Sequence, residues 1–121
     1  MKAIIATNNL GFIGIGEDLL WRNPDDLIHF RKLTLNSKLL VGYRTYQSLP
    51  TLKDRELIVD IRDNINLNVD WCIGGKKTYE KYSEYFTELH ISHINDNSIG
   101  DVTFPDLSNL NPYCKIFNYH F

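Results

Sequence analysis

The chain is short of positive charge, of cysteine and of long apolar runs. Its 121 residues carry 13 lysines and arginines against 15 aspartates and glutamates, a formal charge of −2. A broad nucleic-acid surface needs clustered cations, so this balance argues against one while leaving room for a local basic pocket. The two cysteines, Cys72 and Cys114, stand far apart and in no metal-type spacing. Cys72 lies in an apolar run and reads as a buried free thiol. Among four histidines, only His90 and His93 are close, and three residues apart on a strand they face opposite ways. No metal site is expected. No run approaches a membrane span, and the N-terminal apolar stretch is too short for a signal peptide, so a cytoplasmic protein is expected. Repeats and low-complexity tracts are absent.

What is present is a 43% hydrophobic composition, enough for a packed core, at a length suited to one domain over 1–121. Ala3 to Ala6 reads as a strand buried on both faces. Asn8 to Leu20, punctuated by Gly11, Gly14 and Gly16, reads as a long functional loop. Asn23 to Leu35 is the best helix: Asn23 can cap it, Pro24 suits the first position, and Asp25 and Asp26 suit the positive end. Further strands are expected at Lys38 to Gly42, Glu56 to Val59, Trp71 to Ile73, Leu89 to Ile94 and Tyr113 to Phe121. Helices are expected at Thr45 to Leu49 and Lys76 to Phe86. Alternating strands and helices predict an α/β fold, a central and mostly parallel twisted sheet flanked by helices, with ligands at strand carboxyl ends.

Several residues could carry chemistry. Asp26 shares a helix face with Phe30 and Thr34, so its carboxylate can point into an apolar cleft and grip a ligand bearing paired donors. The plain alternative is an acid that serves only the helix dipole. Gly74-Gly75 joins a strand to a helix beginning Lys76-Lys77-Thr78-Tyr79. Glycines permit close approach of backbone to phosphate, although a tight turn alone would use them too. Gly42-Tyr43-Arg44-Thr45 is a second such turn, and together the two could hold the ends of one dinucleotide. Arg55 suits a carboxylate ligand at a cleft rim, or is simply solvated. The glycines at 11, 14 and 16 have the wrong order for a Rossmann phosphate loop.

Taken together, these segments resemble dihydrofolate reductase. The resemblance rests on Ile13-Gly14 leading to Trp21; on Trp21, Pro24, Asp26, Phe30 and Thr34; on Gly42 to Ser48; on Ile73-Gly74-Gly75 with Tyr79; and on Ser92-His93-Ile94 leading to Gly100-Asp101 and Phe104-Pro105-Asp106. They occur in family order and cover most of the chain to about Asp106. The resemblance implies reduction of dihydrofolate to tetrahydrofolate with NADPH, and so sensitivity to antifolates and a place in one-carbon metabolism.

It also implies roles. Asp26 would hold the pterin, Ser92 would hydrogen-bond that acid, and Trp21 would shape the pocket and order a water. Ile4, Ile5, Leu27, Phe30, Leu49, Leu52 and Ile73 would line the substrate pocket, and Arg55 would bind the substrate's glutamate carboxylate. Ala6, Ile13, Gly14, Gly42, Ile73, Gly74, Gly75 and Tyr79 would surround the nicotinamide and phosphates. Arg44, Thr45, Lys76, Lys77 and Thr78 would serve the pyrophosphate, and residues 14–20 would form a lid.

There are departures. Tyr43 stands where many relatives have a basic residue near the 2′-phosphate. Asp60 and Ile61 replace small hydroxyl residues, with Arg62 able to compensate. An acid near the ribose would favour NADH, so NADH stays open beside NADPH. A helix found in relatives between Asp60 and Trp71 is expected to be missing, and the last strand is expected to lack a hairpin partner. The open edge implies a homodimer or a weakly stable monomer. Two other readings compete: a catalytically weak folate- or nucleotide-binding or structural homologue, and a relative of the riboflavin-pathway pyrimidine reductases. Trp21 and Asp26 at this spacing favour the folate branch.

Overall fold

The computed structural model describes residues 1–14 and 20–121. The described elements are β1 (Lys2–Asn8), β2 (Phe12–Gly14), α1 (Pro24–Thr34), β3 (Lys38–Val41), α2 (Tyr43–Ser48), β4 (Glu56–Val59), β5 (Trp71–Cys72), α3 (Lys76–Tyr82), a 3₁₀ turn (Ser83–Tyr85), β6 (Glu88–Ile94), β7 (Val102–Thr103) and β8 (Lys115–His120). Six strands form one sheet in the order β4-β3-β5-β1-β6-β8, and every pairing in it is parallel. β2 and β7 form a separate antiparallel pair.

From β1 the chain runs through α1 to β3 on one side of the sheet, and from β5 through α3 to β6 on the other. Crossovers of one hand that run in opposite directions put their helices on opposite faces. The packing agrees. Phe30 and Leu33 of α1 pack against Ile4, Leu39 and Trp71. Tyr79 and Tyr82 of α3 join Ala3, Ile5, Leu40, Cys72, Phe86 and Leu89. β1 sits between β5 and β6 and feeds both clusters, because successive side chains on a strand point to opposite faces.

The start of α1 is built as its sequence suggests. Asn23 Oδ1 accepts the Asp26 amide N–H at 3.0 Å, Pro24 opens the helix, and Arg31 and Lys32 sit in its last turn. Asn36 follows with φ +57°, a left-handed conformation that asparagine tolerates.

Some expected boundaries move. The long loop from Asn8 is shorter, because Asn8 belongs to β1 and Phe12–Gly14 pairs with Val102–Thr103. Asn8 organises the turn by accepting the amides of Leu10 and Phe12 on Oδ1 and donating to Ser98 O and Asp96 Oδ2. α2 starts at Tyr43, directly after β3, and not at Thr45. α3 gives way to 3₁₀ structure at Ser83, whose hydroxyl donates back to Glu80 O at 3.2 Å. Cys72 is fully buried and its thiol is pushed up to about 12 by desolvation, as a core residue's should be.

Phe86 is wholly buried where the 3₁₀ turn meets the α3-side core. Phe86→Ala should cost about 3–5 kcal/mol, the usual range for emptying an aromatic site. Urea unfolding measures this, and a loss below about 1 kcal/mol would show that the cluster collapses to fill the hole.

Candidate active site

Asp26 is the third residue of α1, with its backbone N–H already committed to the Asn23 cap. Its carboxyl lies within the influence of Ser92 on β6, and so on the sheet side of the helix. It is half-buried, and burial raises its pKa, while the Ser92 hydroxyl and the nearby His29 ring each lower it. Ser92 lies on β6, 1% exposed, paired in register with Ala6 of β1. Its hydroxyl acts on the Asp26 carboxyl yet makes no full hydrogen bond, and so retains unused capacity.

The apolar wall beside this acid comes from several elements. Phe30, Leu52 and Ile73 pack with Ile4, Leu39 and Trp71 on the α1 face. Ile5 does not join them. It faces the other way, into the cluster with Leu40, Cys72 and Tyr79, as strand alternation requires. Leu27 is half exposed on α1, and Leu49 is partly buried after α2. Arg55 lies over the Phe30 ring at 5.9 Å, with Nη1 donating to Thr34 Oγ1 at 3.4 Å and Nε to Lys53 O at 2.9 Å. Its guanidinium thus sits at the outer end of the apolar wall.

The two glycine turns meet. Gly42 N–H donates to Gly74 O at 2.7 Å. A Cβ on Gly42 would lie 2.5 Å from Thr78 Oγ1, and one on Gly75 would lie 2.9 Å from Thr45 Oγ1. Gly74 has φ +115° and packs on the Tyr79 ring, and the Gly74–Gly75 peptide is cis. Tyr79 Oη donates to Ile4 O at 2.6 Å. These contacts link the turns to the centre of β1, beside the strand that carries Ser92. Two backbone turns edged by threonine hydroxyls thus pack together with no room for a Cβ, a closeness that glycine permits.

Other expected residues are distributed less simply. Ile13 is partly buried against the α3-side cluster. Lys76 Nζ donates to Thr103 Oγ1 at 2.7 Å, which ties α3 to β7, while Lys77 and Arg44 are exposed. Trp21 is partly buried just ahead of α1. Of the expected lid, residues 15–19 lie outside the described residues. Arg62 is exposed.

Asp60, expected near the ribose, is engaged by α3. Its Oδ2 accepts Lys81 Nζ at 2.9 Å and its Oδ1 accepts Tyr82 Oη at 2.6 Å, so the carboxylate is turned toward α3. Lys81 also donates to the carbonyls of Ile61, Arg62 and Asn64. This clasp orders the segment after β4 where a helix was thought missing. Hollows of about 390 Å³ lie along that segment, from Val59 to Asn68, and between Asn36 and Glu56, and neither contains Asp26.

Sequence reasoning overlooked His29, Tyr119 and Phe121. His29 lies one turn beyond Asp26, and its ring packs 4.1 Å from Tyr119 and 5.4 Å from Phe121, centroid to centroid. The three-residue spacing from Asp26 was the available signal. Among the described residues no cluster of metal-ligating side chains occurs, and no helix is long and apolar enough to cross a membrane.

The dihydrofolate reductase family model matches residues 1–72. A type 5 dihydrofolate reductase of Escherichia coli is 32% identical over 133 residues, covering 92% of this chain and 83% of the relative. A type 1 enzyme of the same species is 30% identical over 135 residues, covering 93% and 86%. A dihydrofolate reductase of Buchnera aphidicola is 28% identical over 138 residues, covering 97% and 86%. Among solved structures, a dihydrofolate reductase from Enterococcus faecalis complexed with NADP(H) and RAB-propyl shares the fold, with a TM-score of 0.76 at 23% identity, over 88% of this chain and 77% of that one.

Asp26 generates a stability prediction. Its folded-state pKa lies above the ordinary 3.8, so the ionised form is the disfavoured one in the fold. Stability from this group is fully present below about pH 3.8 and is lost as pH rises through the raised folded value. Unliganded Asp26→Asn should therefore be at least as stable as the parent at neutral pH, with the gap closing on acidification. Urea unfolding across pH measures it, and a gap that widens on acidification would reverse the assigned sign.

Proposed function

The chain belongs to the dihydrofolate reductase family, and on that premise we propose that it transfers a hydride from a reduced nicotinamide dinucleotide to dihydrofolate, giving tetrahydrofolate. The observation that carries this reading is the half-buried Asp26 carboxyl beside Ser92, at the edge of an apolar wall that includes Ile4, Phe30, Leu52 and Ile73.

A carboxylate there suits a flat heterocycle presenting a ring N–H and an exocyclic amino group, which it can hold by two parallel charge-assisted hydrogen bonds. Ser92 supports the acid, and Trp21, Leu27 and Leu49 complete the pocket. Arg55, over the Phe30 ring, takes the carboxylate at the far end of the substrate. Asp26 also stabilises the ring electrostatically when it gains a proton, a contribution that needs no movement at the moment of reaction.

The touching turns at Gly42 and Gly74-Gly75, which close on each other because a Cβ at Gly42 or Gly75 would collide with a threonine hydroxyl, would take a dinucleotide. Ala6, Ile13, Gly14 and Tyr79 would surround its nicotinamide, and Arg44, Thr45, Lys76, Lys77 and Thr78 its phosphates. When bound, the reduced nicotinamide supplies the hydride. The chain's residues hold the two rings together, which is the larger part of what a protein adds to cofactor chemistry. NADPH is the preferred form, because the Asp60 charge is neutralised by Lys81 and does not oppose a 2′-phosphate, while exposed Arg62 can attract one.

Oxidation of the reduced cofactor, followed by absorbance with dihydrofolate added, tests the reading with NADPH and NADH in parallel. Asp26→Asn should lower the rate by roughly 10²-fold or more, the scale of a positioned acid–base group. An unchanged rate would remove Asp26 from the chemistry, and no turnover with either cofactor would overturn the reading.

The outer edge of β8 has no partner strand among the described residues, and Ile116 and Phe117 on it are exposed. Pairing of this edge with a second copy is the proposed assembly. Sedimentation velocity over a concentration series should show a coefficient that rises with concentration. A constant monomer value would overturn it.

A further inference from the structure

We propose that His29 is a positioning residue for the Asp26 carboxylate, and that the aromatic side chains Tyr119 and Phe121 at the end of the chain hold it at that station. The inference rests on the reading of Asp26 as the substrate-gripping acid.

His29 and Asp26 are three residues apart on α1, so their side chains share one face of the helix. The imidazole is packed 4.1 Å from the Tyr119 ring and 5.4 Å from the Phe121 ring, which fixes it against the last strand. Phe121 is itself tied down, its amide donating to His93 O and its carbonyl accepting from Asn95 N. Within this packing the Nε2 atom of His29 is buried and has no hydrogen-bond partner. A buried unpaired nitrogen carries an uncompensated desolvation cost, which a leucine or phenylalanine of similar volume would avoid. Packing alone does not account for a histidine here. A station one helical turn from Asp26, from which the ring acts on the carboxyl through space and not by a direct bond, does.

The groups facing His29 are Asp26 from its own helix, His90 from β6 and Tyr119 from β8. Asp26 favours the charged imidazole and His90 opposes it, while burial holds the ring below its ordinary pKa of 6.5. His90 is engaged elsewhere, with Nδ1 2.9 Å from Tyr119 Oη and Nε2 2.9 Å from Glu88 Oε1. Tyr119 thus touches both imidazoles, packing on one and hydrogen-bonding the other. As pH falls, a proton on His29 stabilises the Asp26 carboxylate and keeps it ionised further into the acid range. Because coupling is reciprocal, Asp26 must also hold the proton on His29.

Two measurements on the full chain test this. In the first, the His29 ring is titrated by NMR in the parent, Asp26→Asn and Phe121→Ala proteins. Asp26→Asn should move the midpoint to lower pH, and Phe121→Ala should move it up toward 6.5 as the ring gains water. In the second, binding of a 2,4-diaminopyrimidine is followed by tryptophan fluorescence across pH for His29→Phe and His29→Gln. Each variant's affinity is expressed relative to the parent, which cancels the ligand's own titration. Binding should be equal at alkaline pH and severalfold weaker toward pH 5, with the acid limb moved to higher pH. Gln preserves polarity, so it serves if Phe impairs folding. An unmoved His29 midpoint in Asp26→Asn, or an unmoved acid limb in His29→Gln, would overturn the proposal. The NMR arm needs no substrate, so it can fail while the folate reading stands, or succeed where no turnover is found.

Discussion

The alternation of side chains along β1 is the constraint on which the rest of the molecule depends. Parallel pairing to β5 and β6 fixes the register of this strand on both sides. With the register fixed, Ile4 must go to the α1 face and Ile5 to the α3 face. The same pairing sets Ala6 beside Ser92, and so brings the serine to the level of Asp26. A slip of one residue would exchange the two faces and separate the acid from its serine in a single step. The Tyr79 hydroxyl on the Ile4 carbonyl adds a further tie between β1 and the glycine turn.

A second device secures the far side. The segment between β4 and β5 has no regular structure, and Lys81 takes its place as an organiser. One ammonium reaches the Asp60 carboxylate and three carbonyls. Tyr82 Oη donates to Asp60 and accepts the Asn66 amide. Polar bonds from one helix thus do the work of a packed element, with the Asp60 carboxylate as their anchor.

Much of this was legible before any coordinates. The β4 limits, the α1 cap and the two glycine turns follow from local chemistry: an apolar run, an Asn-Pro start, paired glycines. Asp26 was legible because helical spacing put it with Phe30 and Thr34. The misses have physical causes. A run such as Ala3 to Ala6, apolar at every position, hides which residue faces which helix, so the opposite facing of Ile4 and Ile5 is not legible in it. Asp60 was judged from its neighbours in sequence, while its partners lie a helix away. The pairing of Phe12–Gly14 with Val102–Thr103 is non-local and carries no turn signal. His29 looked like an ordinary residue of a surface helix, because its partners Tyr119 and Phe121 come from the other end of the chain.

The distribution of unsatisfied polar atoms separates scaffold from site. On the α3 face, buried polar groups are paired: Tyr79 with Ile4, Tyr82 with Asp60, Ser83 with Glu80. Among the described residues, the buried side-chain atoms without partners are Ser92 Oγ and His29 Nε2, and both belong to residues that lower the Asp26 pKa. A fold selected for stability alone has no reason to gather its polar costs on one side and at one carboxyl. Folding satisfies its polar groups wherever it can, so atoms left open beside a half-desolvated acid are the exceptions on which the proposed substrate site is built.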